Sequence, residues 1–401
     1  MSHGTLPERA QRLHRMPWQQ ARDTARAAAG RPLPAVARDL PDALGHTLAE
    51  PLTALTDLPA FDTSAMDGWA VAGPGPWRLL DGGILAGEAP AAPLDRGTAL
   101  PVATGAPLPA GATAVLRYEH GGLADGVLHH LAPGRVAAGR DVRPRGQECR
   151  HGDELLPAGA LVTPAVLGLA AAAGHDRLRV HRQPTVELLL LGDELLTSGV
   201  PDAGLVRDAL GPLLPPMLAA AGADVIGIHR VGDDLALLVD ALRDSRADVV
   251  LTTGSTAVGP ADFLHRALTG TGARLLVDSV AVRPGHPMLL AELPGASRHL
   301  VGLPGNPLAA VAGTLTLALP LLHHLAGRAP LVRRFPAAAL PGHPHDTRLL
   351  PVTLLAGTAL PLPFDGPAML RGLALADALA VVPPGGVAAG GTVEVLDVPG
   401  R

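Results

Sequence analysis

Val186-Glu187-Leu188-Leu189-Leu190-Leu191-Gly192-Asp193-Glu194 is a short apolar run that ends on a glycine and two carboxylates. The pattern recurs. Val225–Ile228 leads to Gly232-Asp233-Asp234, Val249–Thr252 to Thr253-Gly254-Ser255-Thr256, and Leu300–Leu303 to Pro304-Gly305-Asn306-Pro307. Runs this apolar predict strands buried on both faces. Helical stretches separate them at 204–221, 233–243, 262–268 and 307–322. Asp233 is the expected N-cap of the second, and Pro307 opens the last at a first-turn position. The alternation predicts a doubly wound α/β layer.

Outward from this layer the texture changes. Beyond residue 327 the chain is punctuated by proline and glycine, with short strand-like runs such as Thr392–Val398, which predicts a small β-barrel or sandwich. Residues 54–140 carry short apolar runs broken by Gly or Pro about every eight to twelve positions, the signature of a β-rich module. Helical pieces are expected at Ala21–Ala29, Asp42–Leu48 and 164–173, and residues 1–17 read as a loose Arg-rich leader.

Composition bounds the function. The 401 residues are 47% hydrophobic but only 2% aromatic, with 48 Gly and 41 Pro, so Ala, Leu and Val must fill several cores. Every one of the 32 basic residues is Arg, so a missing lysine need not signal a missing function. A net charge of -5 and the absence of a basic tract exclude generic nucleic-acid binding. The single cysteine, Cys149, rules out an internal disulfide framework and reads as a core thiol. No signal peptide is visible, and the longest apolar run, Ala309–Leu322, falls short of the roughly 20 residues of a membrane span. A soluble, cytoplasmic protein without membrane contact is expected.

Ligands of an open parallel sheet bind beyond the carboxyl ends of its strands. Backbone N–H groups in the Gly-rich turns there suit phosphate or another oxoanion. The neighbouring carboxylates suit Mg²⁺, which bridges to phosphates through oxygen ligands. Arg283, in Val282-Arg283-Pro284-Gly285, adds a cation beside an anionic ligand. The expected ligand is thus a phosphorylated or nucleotide-like small molecule. Each piece also has a plain structural use: Asp233 and Asp234 as caps, the glycines as turns, Glu194 as a solvated acid. The pairs His129–His130 and His323–His324 point apart on a strand or helix, which argues against metal binding.

Several motifs, in order, carry a family resemblance. Phe61-Asp62-Thr63-Ser64-Ala65-Met66-Asp67-Gly68-Trp69-Ala70-Val71 resembles the FD-S-AMDG signature of the molybdopterin molybdenumtransferases, the bacterial MoeA proteins and the E domain of gephyrin. Thr104–Ala112 is similar to the TGAPLP-GAD segment and Gly192–Leu195 to the TGDEL turn. Gly254–Asp262 resembles GGVSVG--D, Arg283–Pro287 resembles KPGKP, and Gly302–Pro307 repeats GLPGNP. The matches span about residues 35–325, with a weaker one at Gly366–Gly385.

The resemblance implies an elongated homodimer of four-domain chains. An elongated mixed domain would comprise 1–50 and 145–182, interrupted by an inserted β-rich domain at 51–144. The α/β domain would be 183–327 and the C-terminal β-barrel 328–401. It also implies Mg-dependent insertion of molybdate into adenylylated molybdopterin, releasing AMP and Mo-molybdopterin. The site would lie between the α/β domain of one subunit and the inserted domain of the other. Carried over by position, Asp67, Glu194, Asp233, Asp262 and Arg283 are the catalytic candidates, with Glu194 and Asp262 as Mg²⁺ ligands. Thr104, Glu148, Gly254, Ser255, Gly305 and Asn306 are the substrate-binding candidates. Implied partners are the enzyme that supplies the adenylylated substrate and molybdoenzymes or their chaperones.

The chain departs from the family pattern at named places. Glu148 stands for an Asp. Ser255 and Ala257 replace Gly and Ser of GGVS. Ser279 and His286 stand for lysines, Leu210 for the Asn of a D-S/T-N turn, and Ala309 for a Ser. Two further readings follow: a non-catalytic paralogue that binds pterin or acts as a scaffold, and an α/β domain acting on another nucleotide. The motifs outside the α/β region argue against the last.

Overall fold

The computed structural model describes residues 15–89, 92–202, 204–254, 256, 263–295 and 297–400. The chain forms two compact units, one of residues 37–44 and 50–179 and the other of the remainder. The larger unit begins with β1 (Met16–Pro17) and α1 (Trp18–Ala28). Arg15 to Pro17 are therefore part of the fold rather than of a loose leader, because β1 pairs along Val280–Ala281. Only a 3-10 turn at Leu40–Ala43, after a strand at Ala35–Asp39, meets the helix expected over 42–48. Gly45, at a φ of 77°, takes the chain out of helical geometry.

In the smaller unit, a six-stranded sheet runs β5-β2-β4-β3-β7-β6. Its strands are β2 (Gly68–Val71), β3 (Trp77–Leu79), β4 (Thr98–Val102), β5 (Ala114–Arg117), β6 (Gly121–Ala124) and β7 (Val127–His130). Alternation along β2 sends Ala70 to one apolar cluster, with Leu100, Val102 and Val115, and Trp69 and Val71 to another, with Trp77, Leu116 and Leu128. Helix α2 (Pro164–Ala172) is capped by the Thr163 hydroxyl, which accepts the Val166 N–H.

The larger unit holds a second six-stranded sheet, made of β8 (Thr185–Leu191), β9 (Asp224–Val231), β10 (Val249–Thr253), β11 (Arg274–Asp278), β13 (Leu289–Leu293) and β14 (Arg298–Leu303). The order is β9-β8-β10-β14-β13-β11, parallel over the first four strands and antiparallel over the last two. Helices α3 (Leu210–Ala220), α4 (Leu235–Asp244), α5 (Phe263–Thr271) and α6 (Pro307–Leu325) cover both faces. Leu188 and Leu190 pack with α3 and α6, and Leu189 and Leu191 with α4 and α5. Each such fully buried side chain contributes about 1.5–3 kcal/mol of apolar transfer.

Three expectations for this layer are corrected. Strand β9 is an edge strand with Ile226 and Ile228 exposed, not one buried on both faces. Helix α3 starts at Leu210 rather than 204, because Val206–Arg207 pairs with Leu195–Leu196. Helix α6 reaches 19 residues, long and apolar enough to cross a membrane, yet it is 89% buried inside the protein as a core helix. It widens into one π turn at Thr314–Ala318, just before Pro320.

Between β11 and β13 the chain leaves the sheet. After Ser279, whose φ of 74° turns it sharply, β12 (Val280–Arg283) joins a different sheet. That sheet contains β15 (Arg333–Pro336), β16 (Thr347–Leu355), β17 (Thr358–Pro361), β18 (Ala378–Val382) and β19 (Thr392–Asp397). Its order is β1-β12-β16-β18-β19-β15, with β17 beside β16. An Ala337–Ala359 bridge joins the end of β15 to β17, so β16, β18, β19, β15 and β17 curl into the expected barrel form. Leu349, Leu379 and Leu396 share one core with the α/β layer.

Candidate functional site

At the carboxyl edge of the parallel strands, Leu191 pairs in register with Val231, and Thr253 with Leu303. The chain runs outward from β8 to β9, then crosses back to β10. The crevice expected at such a reversal lies between β8 and β10. Gly254 ends β10 there at a φ of +90°, donating its N–H to the Leu303 carbonyl at 2.9 Å. A Cβ on it would stand 3.4 Å from the Leu191 carbonyl, and one on Gly305 would stand 3.6 Å from the Gly254 Cα. Three strand ends therefore converge on bare backbone, as an anion cradle requires.

The acids sit around this edge. Glu194 folds back over Gly192, whose φ of +128° and missing Cβ leave room for the carboxylate. Asp193, which the sequence did not single out as a site residue, lies over Gly232, 2.7 Å from where a Cβ would stand. The N-cap of α4 is Asp234, not Asp233. Its carboxylate accepts the Ala236 and Leu237 N–H groups at 2.7 and 3.2 Å. Asp233 is left exposed at the strand end. Asp262 and Ser255 lie outside the described residues. Among the described residues, no group of three or more His, Cys, Asp or Glu side chains is gathered for a metal. Mg²⁺ needs less, because it is held by one or two carboxylates and completes its shell with water and substrate oxygens. The hard-oxygen donors Asp193, Glu194 and Asp233 fit it in kind.

With Leu210 in place, the turn before α3 is closed by Asp208. The buried Asp208 carboxylate accepts the Leu210 and Gly211 N–H groups, both at 2.9 Å, and pairs with Arg230 at 2.5 Å.

A pocket of about 550 Å³ adjoins the Pro304-Gly305-Asn306 loop. Arg283 and His286 line it from the β12 side, Asn306 and Ala309 from the start of α6, and His343, Arg348 and Asp365 from the barrel. Arg283 donates from Nε to the buried Asp346 carboxylate at 2.9 Å. Arg348 donates to Asp365 at 2.6 Å. Burial, with the charges of Arg15 and Arg283, pushes His286 down to about 4, so its ring is neutral at pH 7. The sequence reading missed Arg348, His343, Asp346 and Asp365. Its only signal in this area was the weak match beginning at Gly366.

The smaller unit carries the remaining candidates. The Asp67 carboxylate accepts the Thr104 N–H at 2.7 Å, tying the Met66-Asp67-Gly68 turn to the Thr104–Pro107 loop. Asp62 accepts the Arg145 N–H at 2.7 Å, bringing in the Arg145-Gly146-Gln147-Glu148 loop. Glu148, with Thr63, Gly105 and Arg143, lines an open depression of about 650 Å³. Cys149 is buried, as a core thiol should be, and burial pushes its pKa up. In the larger unit, His324 Nε2 donates to the Gly30 carbonyl at 3.0 Å, and burial lowers His323 to about 4.

Fold and site together define a multidomain α/β protein with a glycine-lined crevice at the carboxyl edge of an open sheet beside a small barrel. Three family profiles match in order: the MoeA N-terminal region (domain I and II) over 16–174, the probable molybdopterin binding domain over 187–324, and the MoeA C-terminal region (domain IV) over 336–398. A molybdopterin molybdenumtransferase of Synechococcus elongatus is 32% identical over 290 residues, 69% of this chain and 72% of that protein. One from Staphylococcus aureus strain COL is 28% identical over 388 residues, 91% of each. A crystal structure of a molybdopterin biosynthesis MoeA protein from Pyrococcus horikoshii shares the fold, with a TM-score of 0.76 at 20% identity over 95% of this chain and 99% of that one. The chain belongs to the molybdopterin molybdenumtransferase (MoeA) family, enzymes of molybdenum cofactor biosynthesis.

Proposed function

We propose that this chain inserts molybdate into the dithiolene of adenylylated molybdopterin with Mg²⁺ bound, and releases AMP and Mo-molybdopterin. The observation that carries the reading is the pocket beside the Asn306 loop, where Arg283 and Arg348 stand with the neutral His286 around a cavity of about 550 Å³. Guanidinium groups recognise planar or tetrahedral oxoanions through paired N–H donors. In this reading Arg283 holds anionic oxygens, and Gly305 and Asn306 present the loop to the pterin. Glu194, with Asp262, would hold Mg²⁺, which polarises the adenylate phosphate when bound. Asp233 and Asp67 would order water or molybdate oxygens, and Thr104 and Glu148 would contact substrate.

The deciding experiment is AMP release from adenylylated molybdopterin by purified protein, with Mg²⁺ and with or without molybdate. Molybdate-dependent AMP, together with product that reconstitutes a molybdoenzyme, supports the reading. Tight binding without AMP supports the pterin-binding paralogue instead. The homodimer is part of the proposal, and sedimentation at monomer mass counts against it. So are the cytoplasmic location and the upstream enzyme that must supply the adenylylated substrate.

A further inference from the structure

Asp346 lies at the end of a loop, 63 residues beyond Arg283 in sequence, yet its side chain is 5% exposed and its Oδ2 gathers three neighbours. Arg283 Nε donates to it at 2.9 Å, Arg15 Nη1 stands 3.5 Å away, and His343 Nδ1 stands 3.6 Å away. The histidine is not a donor here. Its Nδ1 accepts the Asp346 and His345 N–H groups at 3.0 and 3.3 Å, which places the ring proton on Nε2. Asp346 is thus held by two arginines and by a turn that His343 closes.

A guanidinium clamped at Nε keeps both terminal nitrogens available in one plane, and a carboxylate partner fixes that plane. No other hydrogen-bond partner of the Arg283 guanidinium occurs among the described residues, and its side chain remains 34% exposed at the pocket. Of the two arginines beside Asp346, Arg283 lines the pocket, and across that pocket Arg348 is engaged by Asp365.

We infer that Asp346 is a positioning residue that aims the two terminal nitrogens of Arg283 at a tetrahedral oxoanion in the pocket. The inference deepens the proposed function, on which it rests for the identity of the oxoanion. It also explains how an arginine can serve where the family resemblance has a lysine. A lysine offers a single nitrogen, which a carboxylate partner would draw away from the ligand.

The test is calorimetric titration with molybdate alone, on full-length wild type, Asp346→Asn, Arg283→Ala and the double variant. Asp346→Asn should weaken molybdate binding about tenfold, and in the Arg283→Ala background it should add less than about twofold. In turnover assays Asp346→Asn should raise the molybdate KM about tenfold while kcat moves less than about twofold. Should Asp346→Asn fail to fold because a buried ion pair is lost, Asp346→Glu keeps the charge but displaces the carboxylate, and the same loss is expected. Unchanged molybdate affinity in a folded Asp346 variant overturns the inference, and so do losses that multiply independently. Wild type that binds molybdate with this coupling but releases no AMP keeps the inference and removes the proposed function.

Discussion

The Arg22 guanidinium donates from Nη1 to the Leu315 carbonyl at 2.6 Å. That carbonyl has no donor of its own. The Leu319 N–H is turned to Thr314 by the π turn, and the next residue is Pro320, which has no N–H. Trp18 works beside it, donating from Nε1 to the Thr316 hydroxyl at 3.1 Å. Helix α1 therefore supplies, from some 290 residues away, the polar partners that a proline removed from the core helix. Arg22→Met should cost about 1–3 kcal/mol of unfolding free energy, because it orphans a buried carbonyl. Urea denaturation at pH 7 measures it, and a loss under about 0.5 kcal/mol would sink this account.

Glu194 and Asp67 are exposed, and their hydrogen bonds reach only backbone or nothing in the core. Glu194→Ala should lower turnover by about 10²-fold or more while stability moves by about 0.5 kcal/mol or less. Asp67→Ala should do the same in turnover and cost slightly more in stability, since it frees the Thr104 N–H. Near-normal turnover in either variant discards its catalytic assignment.

Gly192→Ala tests the same carboxylate by another route. A Cβ there collides with the Glu194 side chain, and φ of +128° is poor for any residue with a Cβ. The variant should fold, lose about 1 kcal/mol or more, and show a turnover defect approaching that of Glu194→Ala. Full turnover would mean that the folded-back position of Glu194 is not the working one.

His286 and His323 are both lowered to about 4, chiefly by burial, from an ordinary value of 6.5. Between those values the unfolded chain binds protons that the folded chain refuses. Stability is therefore full above about pH 6.5 and falls as pH drops toward 4, at up to about 1.4 kcal/mol per pH unit for each histidine. Asp248 acts in a lower window. Burial opposes its ionisation, but hydrogen bonds from Arg182 and Thr185 outweigh that and hold its pKa below 3.8. His323→Gln should flatten the slope between pH 4 and 6.5 and leave the behaviour below 3.8 intact. An unchanged slope rejects the assignment.

Much of the architecture was legible because it was locally written. The runs at 186–191, 249–252 and 300–303 are apolar throughout, and only a strand covered on both faces needs that. Pro307 and Pro164 mark helix starts for reasons internal to a few residues. What was missed depends on distant partners. Arg274–Asp278 is a strand because it pairs with Leu289–Leu293, which itself pairs with β14, and Val206–Arg207 is one because Leu195–Leu196 lies alongside. Edge strand β9 read as buried on both faces because its exposed face carries Ile226 and Ile228. The site divides in the same way. Arg283 and Asn306 stand in recognisable loops, whereas Asp346 and Arg348 become relevant only when the barrel is brought to them.

Strand β12 is encoded inside the α/β layer but hydrogen-bonded between β1 and β16. The barrel is thus laced into its neighbour by a thread from each end of the chain and one from its middle. It cannot be handled as a cassette. A truncation after residue 327 would strip β12 of one flank and leave Arg283 without Asp346, so shuffling this barrel between relatives would disturb the pocket as well as the tail.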